Sequence, residues 1–156
     1  MEGDLKIKKK EITMLKGIAK VISPELLKIL SEMGHGDEIV IADANFPSAS
    51  MGKRVIRADG IGGAEMLDAI LSLLPLDTYS DPNVVLMKLM ACDEGKVNPV
   101  IWEDYTKIAK KNDQNAEIGN IDRFEFYERA KKAYAVVATG EKAIYANILL
   151  VKGTIE

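Results

Sequence analysis

Apolar positions along this chain follow two rhythms. In "SPELLKILSEMG", residues 23–34, leucines at 26, 27 and 30 recur at helical spacing, with Ser23 as N-cap, Pro24 in the first turn, Glu25 near the positive end and Gly34 as terminator. A helix is predicted there. "EIVIADA", residues 38–44, is a β-branched run too short for a helix and without alternation, which predicts a strand covered on both faces, as in a parallel sheet. A second helix is predicted over about residues 63–74, stopped by Pro75, and an apolar strand "VVLMKLMA" follows the turn signals of "SDPN". "NPVIWEDYTKIAKK" predicts a third helix, with Pro99 in the first turn and Ile101, Tyr105 and Ile108 on one stripe. "AEIGNI" is short and ambiguous. "RFEFYERAKKA" predicts a helix leading into a strand at "YAVVATG", and after the turn "GEKAI" a last strand is predicted at "YANILLVKG". Helices alternating with apolar strands indicate an α/β chain: a single three-layer α/β/α domain with a mainly parallel sheet.

Length and charge narrow the picture. A chain of 156 residues suits one domain, expected over residues 14–156, with residues 1–13 as a charged, frayed extension. Lysine and arginine number 21 against 24 acids, a net charge of −3 with both signs scattered, so no nucleic-acid partner is expected. Cys92 is the sole cysteine and His35 the sole histidine. No intrachain disulfide and no structural zinc site is available to them, which suggests no metal and a reducing, cytoplasmic setting. No segment approaches the roughly 20 apolar residues of a membrane span, and the start lacks a secretory signal, so no membrane partner is expected.

The candidate chemistry gathers around "MGHGDEIVIADANFP", residues 33–47. Imidazole is the side chain that gives and takes protons near neutrality, and the glycines beside His35 leave it uncovered. Asp43 closes the predicted strand, where ligand sites in open α/β sheets favour the carboxyl ends. Arg123 precedes an aromatic-rich helix, free to grip hydroxyls or to pair with Asp122 or Glu125, while Phe124, Phe126 and Tyr127 read as packing. Tyr145 and Asn147 flank Ala146 at the mouth of the last strand and offer a hydroxyl and an amide suited to neutral polyols. "SASMG", residues 48–52, has the look of a lid without the spacing of a phosphate loop, and "GIGG", residues 60–63, is an incomplete dinucleotide fingerprint. One imidazole, one carboxylate, an arginine, a tyrosine and an amide fit proton transfer on an uncharged polar ligand.

Several long blocks, "ISPELLKILSEMGHGDEIVIADANFP", "VIRADG", "IDRFEFYERAKKAYAVVATGE" and "YANILLVKG", occur in the order that marks a known family. From about Met14 to the C-terminus the chain resembles the ribose pyranase and L-fucose mutarotase family, and most of all its fucose branch. The resemblance implies interconversion of sugar anomers without cofactor or metal, a fucose-like monosaccharide as substrate, and ring-shaped homo-oligomers, typically decamers. It implies His35 as proton donor, Asp43 as substrate ligand, Arg123 at the position that is arginine in the fucose branch and histidine in the ribose branch, and Tyr145, Ala146 and Asn147 as the terminal substrate-binding trio. Asn45 stands where bacterial fucose enzymes are expected to carry histidine, which bears on fine substrate preference.

Mutarotation requires a proton delivered to the ring oxygen while one leaves the anomeric hydroxyl. His35 is the expected acid, and the base is Asp43 or an ordered water. Eight residue steps separate His35 from Asp43, up to roughly 26 Å when extended. Either the glycine loop folds back over the sheet, or one of the two groups comes from a neighbouring subunit; the second alternative also accounts for a small domain forming rings, with sites near subunit interfaces.

Overall fold

A computed structural model describes residues 14–156. The extension expected at residues 1–13 lies outside the described residues. In chain order the elements are α1 (Pro24–Glu32), β1 (Glu38–Ala42), the short α2 (Ser48–Met51), β2 (Val55–Ala58), α3 (Gly63–Leu71), β3 (Val84–Met87), a 3-10 turn (Ala91–Asp93), α4 (Ile101–Asn112), β4 (Ile118–Ile121), α5 (Arg123–Lys132), β5 (Ala135–Thr139) and β6 (Ile148–Val151).

The strands form one six-stranded sheet in the order β2-β5-β1-β6-β3-β4. β1 pairs parallel with β5, β5 parallel with β2, and β3 parallel with β4. β6 alone runs against its neighbours, antiparallel to both β1 and β3. The sheet is therefore mainly parallel, and β1 is paired in parallel on one side only. Successive side chains of a strand point to opposite faces, and the core divides accordingly. Ile39 and Ile41 of β1 join Leu26, Met66, Ile70 and Tyr105 beneath α1, α3 and α4. Val40 and Ala42 join Phe46, Phe126 and Ala130 beneath α5. Covering of both faces is why β1 reads as a continuous apolar run, and it makes the fold a three-layer one.

Local signals explain the element ends. Ser23 Oγ accepts the Leu26 N–H at 3.1 Å and starts α1, while Asp122 Oδ1 accepts the Glu125 N–H at 2.9 Å and starts α5. Several expected boundaries move. The strand expected over 84–91 ends at Met87, because its partner β4 ends at Ile121, whose carbonyl takes the last bond, from Lys88 N–H. The strand expected from 145 begins at Ile148; Tyr145 adopts a φ of +59° that no strand accommodates. Residues 48–51, within the stretch that has the look of a lid, form the short α2, with Ser48 buried. β2 and β4 escape the apolar pattern because, as edge strands, each is buried only in part.

Strand direction decides the geography. The carboxyl ends of β1, β2, β3, β4 and β5 share one edge of the sheet, and the reversed β6 brings its amino end there too. Asp43, Asn147, Met87 and Arg123 thus meet at that edge. The amino end of β1, the carboxyl end of β6 and the segment before β3 share the opposite edge.

Candidate functional site

At the carboxyl edge lies an open hollow of about 200 Å³. Its polar lining is Asp43, Asn45, Arg123, Tyr145 and Asn147; its apolar wall is Phe46, Met87, Met90, Tyr127 and Ile144. Four of the six side chains expected at the site are brought together there. Ala146 is fully buried and does not line the hollow; its carbonyl receives the Tyr105 hydroxyl at 2.9 Å. A second hollow of about 270 Å³ shares Asp43 and Phe46 with the first and extends toward Ser48, Arg57 and Thr139.

Each polar group is held by the fold. Asp43 N–H donates to Asn147 Oδ1 at 2.7 Å, tying the end of β1 to the start of β6. Asp43 Oδ1 in turn accepts the Asn45 N–H at 3.0 Å. Burial pushes the Asp43 carboxyl above the usual carboxylate range, opposed by the backbone N–H groups of Asn45, Ala146 and Phe46 and reinforced by the charge of Glu141. Thr139 Oγ1 donates to the Ala42 carbonyl at 2.6 Å and closes the floor between β5 and β1. Arg123, the first residue of α5, pairs with neither Asp122 nor Glu125: its guanidinium lies 5.4 Å from the Phe124 ring centre and 5.3 Å from that of Tyr127. Its Nη1 reaches Met90 Sδ at 3.3 Å, and its buried Nε has no partner among the described residues. Of the aromatic cluster, Phe126 is core, Tyr127 faces the hollow, and Phe124 is exposed.

His35 is elsewhere. Gly34, His35, Gly36 and Asp37 form a tight turn closed by Asp37 N–H to the Gly34 carbonyl at 3.1 Å. Gly36 supplies the left-handed φ of +85° that such a turn requires at its third position. The turn is pinned to the amino edge of the sheet by Gly36 N–H to the Lys152 carbonyl at 2.8 Å. The glycine loop does not fold back: the whole of β1, roughly 16 Å of strand, separates His35 from Asp43.

At the amino edge the imidazole has a partner that the sequence reading missed. His35 Nε2 lies 2.8 Å from Asp77 Oδ1. Asp77 is buried, and its carboxylate also accepts the Ser80 hydroxyl at 2.6 Å and the Tyr79 N–H at 3.2 Å. The Ser80 hydroxyl, then the imidazole and the Tyr79 N–H, hold this carboxyl below its ordinary range against the opposing effect of burial. The His35 side chain stays 45% exposed, and its ring lies 5.6 Å from that of the exposed Tyr79. A buried carboxylate on one ring nitrogen fixes tautomer and orientation and leaves Nδ1 for chemistry. Only the D-x-x-S spacing of residues 77–80 hinted at this local turn.

The whole arrangement offers a polar and apolar cradle at one edge and an oriented acid–base group at the other. Among the described residues no cluster of three or more His, Cys, Asp or Glu is placed to hold a metal ion, and no helix is long and apolar enough to cross a membrane. Residues 16–155 match the RbsD / FucU transport protein family. The chain is 53% identical over 146 residues to a fucose mutarotase of Mus musculus, covering 91% of this chain and 95% of that one. The crystal structure of FucU from Bifidobacterium longum superimposes with a TM-score of 0.86 at 52% identity, covering 90% of this chain and all of that one. The fucose mutarotase of Streptococcus pneumoniae, solved in complex with L-fucose, gives a TM-score of 0.84 at 51% identity, covering 91% of this chain and all of that one. With the fold, the carboxyl-edge hollow and nearly the whole length matched, the chain belongs to the RbsD/FucU family.

Proposed function

We propose that this protein is an L-fucose mutarotase, an isomerase that interconverts the α and β anomers of L-fucose by reversible ring opening. The relatives named fucose mutarotase and the neighbour holding L-fucose support the reaction class. The single observation that carries the reading within this chain is the composition of the hollow. Asp43, Arg123, Tyr145 and Asn147 offer acceptors and donors for the hydroxyls of a neutral sugar, and Phe46, Met87 and Met90 offer an apolar wall. The unpartnered Arg123 Nε is an open donor for such a hydroxyl.

His35 is the acid that protonates the ring oxygen. Positioned acid–base groups commonly contribute about 10²–10⁴-fold. Because His35 stands at the far edge of the sheet, the acid that serves one hollow comes from another copy of the chain. The active form is accordingly a homo-oligomer with sites at its subunit interfaces, in our reading a decameric ring acting in the cytoplasm, where the exposed Cys92 stays reduced.

The test is anomer exchange followed by NMR saturation transfer over L-fucose, galactose and ribose. Acceleration with L-fucose and little with ribose is expected. Acceleration of pyranose–furanose exchange in ribose alone would replace this reading with a ribose pyranase, and L-fucose binding without any acceleration would reduce the protein to a sugar-binding module.

A further inference from the structure

Tyr145 lines the hollow, and the hydrogen bonds of its hydroxyl are largely committed. It accepts the Met90 N–H at 3.1 Å and donates its own proton to Asp93 Oδ2 at 2.5 Å. A phenol has one proton to donate and an oxygen that accepts. With the hydroxyl proton directed at Asp93 and one side of the oxygen taken by the Met90 N–H, the group is left to meet a further ligand only as an acceptor. Tyr145 therefore meets a sugar hydroxyl as an acceptor, with a carboxylate one proton further on.

The geometry is held at some backbone cost. A φ of +59° is uncommon for a bulky residue. Trp102 Nε1–H donates to the Tyr145 carbonyl at 2.7 Å, and the Tyr105 hydroxyl donates to the next carbonyl, that of Ala146, at 2.9 Å. Asp93 closes the 3-10 turn Ala91–Asp93, half-buried and outside the lining of the hollow. Burial, and then the hydrogen bond to Asp93, raise the Tyr145 hydroxyl above the ordinary phenol range, so it keeps its proton until another arrives.

We propose that Asp93 is a positioning residue for ring opening, which turns the Tyr145 proton away from the sugar and accepts it as the anomeric proton moves onto Tyr145. The inference rests on the mutarotase reading above. In the opening step the anomeric O–H bond breaks and its proton goes to Tyr145 Oη, while the original Tyr145 proton passes to the Asp93 carboxylate. The electron pair left on the anomeric oxygen forms the second bond of the C1 carbonyl. The bond from C1 to the ring oxygen breaks, its pair stays on that oxygen, and His35 supplies the proton. Closure on the other carbonyl face returns both protons, and nothing is oxidised or reduced. Asp43 is less free for this task, because its Oδ1 already accepts the Asn45 N–H at 3.0 Å.

Asp93→Asn separates the roles. The amide oxygen still accepts the Tyr145 hydroxyl, but an amide does not take up the proton. In the full-length oligomer the exchange rate at saturating L-fucose is expected to fall at least about tenfold, toward the roughly 10²-fold typical of a lost general base. The L-fucose dissociation constant by calorimetry is expected to stay near the wild-type value. A wild-type rate in Asp93→Asn, or a loss fully accounted for by weaker L-fucose binding, would overturn the proposal. If Asp93→Asn does not fold, Asp93→Gln, whose amide oxygen likewise accepts the Tyr145 hydroxyl without taking up its proton, is read by the same criteria. A wild-type protein that fails to accelerate exchange overturns the mutarotase reading and this inference together; an active wild type with an equally active variant overturns only the role of Asp93.

Discussion

His35 and Asp77, separated by 42 residues in the chain, meet at 2.8 Å at the edge of the sheet opposite to Asp43. The contact is made by two loops that the sheet holds side by side. Gly36 N–H bonds the Lys152 carbonyl just after β6, and Asp77 N–H bonds the Val151 carbonyl at its end. The imidazole is thus built on the sheet's amino edge, partly exposed, at the opposite edge from its own chain's hollow.

The sugar chemistry of this protein is expected to need both members of that pair. His35→Ala should retain the fold, since the side chain is partly exposed, and lower anomer exchange by about 10²–10⁴-fold. Asp77→Asn should slow exchange through the ring's orientation, and nitrogen-15 NMR of the imidazole should show a changed tautomer balance. Full exchange rates in His35→Ala would remove the imidazole from the mechanism.

A site shared between copies makes a mixing prediction. His35→Ala and Asp43→Asn proteins, each inactive alone, should regain activity when unfolded and reassembled together. In a random mixture roughly a quarter of the sites would combine an intact hollow with an intact neighbouring imidazole. No recovery, with mixed oligomers verified by native mass spectrometry, would place both groups in one subunit's service.

The burial of Asp43 is expected to show in the pH dependence of stability. Its folded pKa is raised, chiefly by burial, so its contribution to stability is fully present below the unfolded carboxyl value, near 3.8, and is lost as pH rises through the folded value. Asp43→Asn is therefore expected to match or exceed wild-type stability at pH 7, with an advantage that shrinks on acidification toward pH 4. Denaturant midpoints of the two proteins across that range check the sign. Activity at pH 7 should fall in the same variant, the mark of a carboxylate kept for function at some cost in stability.

The Tyr145–Asn147 segment is braced from beneath by Tyr105. Tyr105→Phe removes the donor to the buried Ala146 carbonyl and is expected to cost about 1–3 kcal/mol. Gly63→Ala attacks the same brace from the other side, since an added Cβ would stand 2.0 Å from Tyr105 Oη. Thermal unfolding measures both losses, and L-fucose affinity should weaken with them.

Periodicity and capping carried much of the architecture. Leu26 and Leu30 had to face a core, Ser23 had to start a helix, and the apolar run Ile39–Ala42 of β1 had to be covered on both faces, because these outcomes depend on neighbours within a turn or two; Leu27, on the expected stripe, is only half-buried, and Ile29 takes the buried place instead. The side chains of the candidate cradle were also visible, since Asp43, Arg123, Tyr145 and Asn147 sit at element ends where ligand groups collect. Strand direction was not visible. Nothing near residue 148 announces that β6 runs against β1 and β3, yet that reversal is what brings Asn147 beside Asp43. Nor do the local sequences tie Asp77 to His35 or Asp93 to Tyr145, pairs whose members lie 42 and 52 residues apart. Such contacts depend on how loops are set by the packing of the whole sheet, and a sequence window contains neither the partner nor the distance. The placement of the imidazole and the hollow at opposite edges follows from chain direction alone, and it became legible only once every strand had its neighbour.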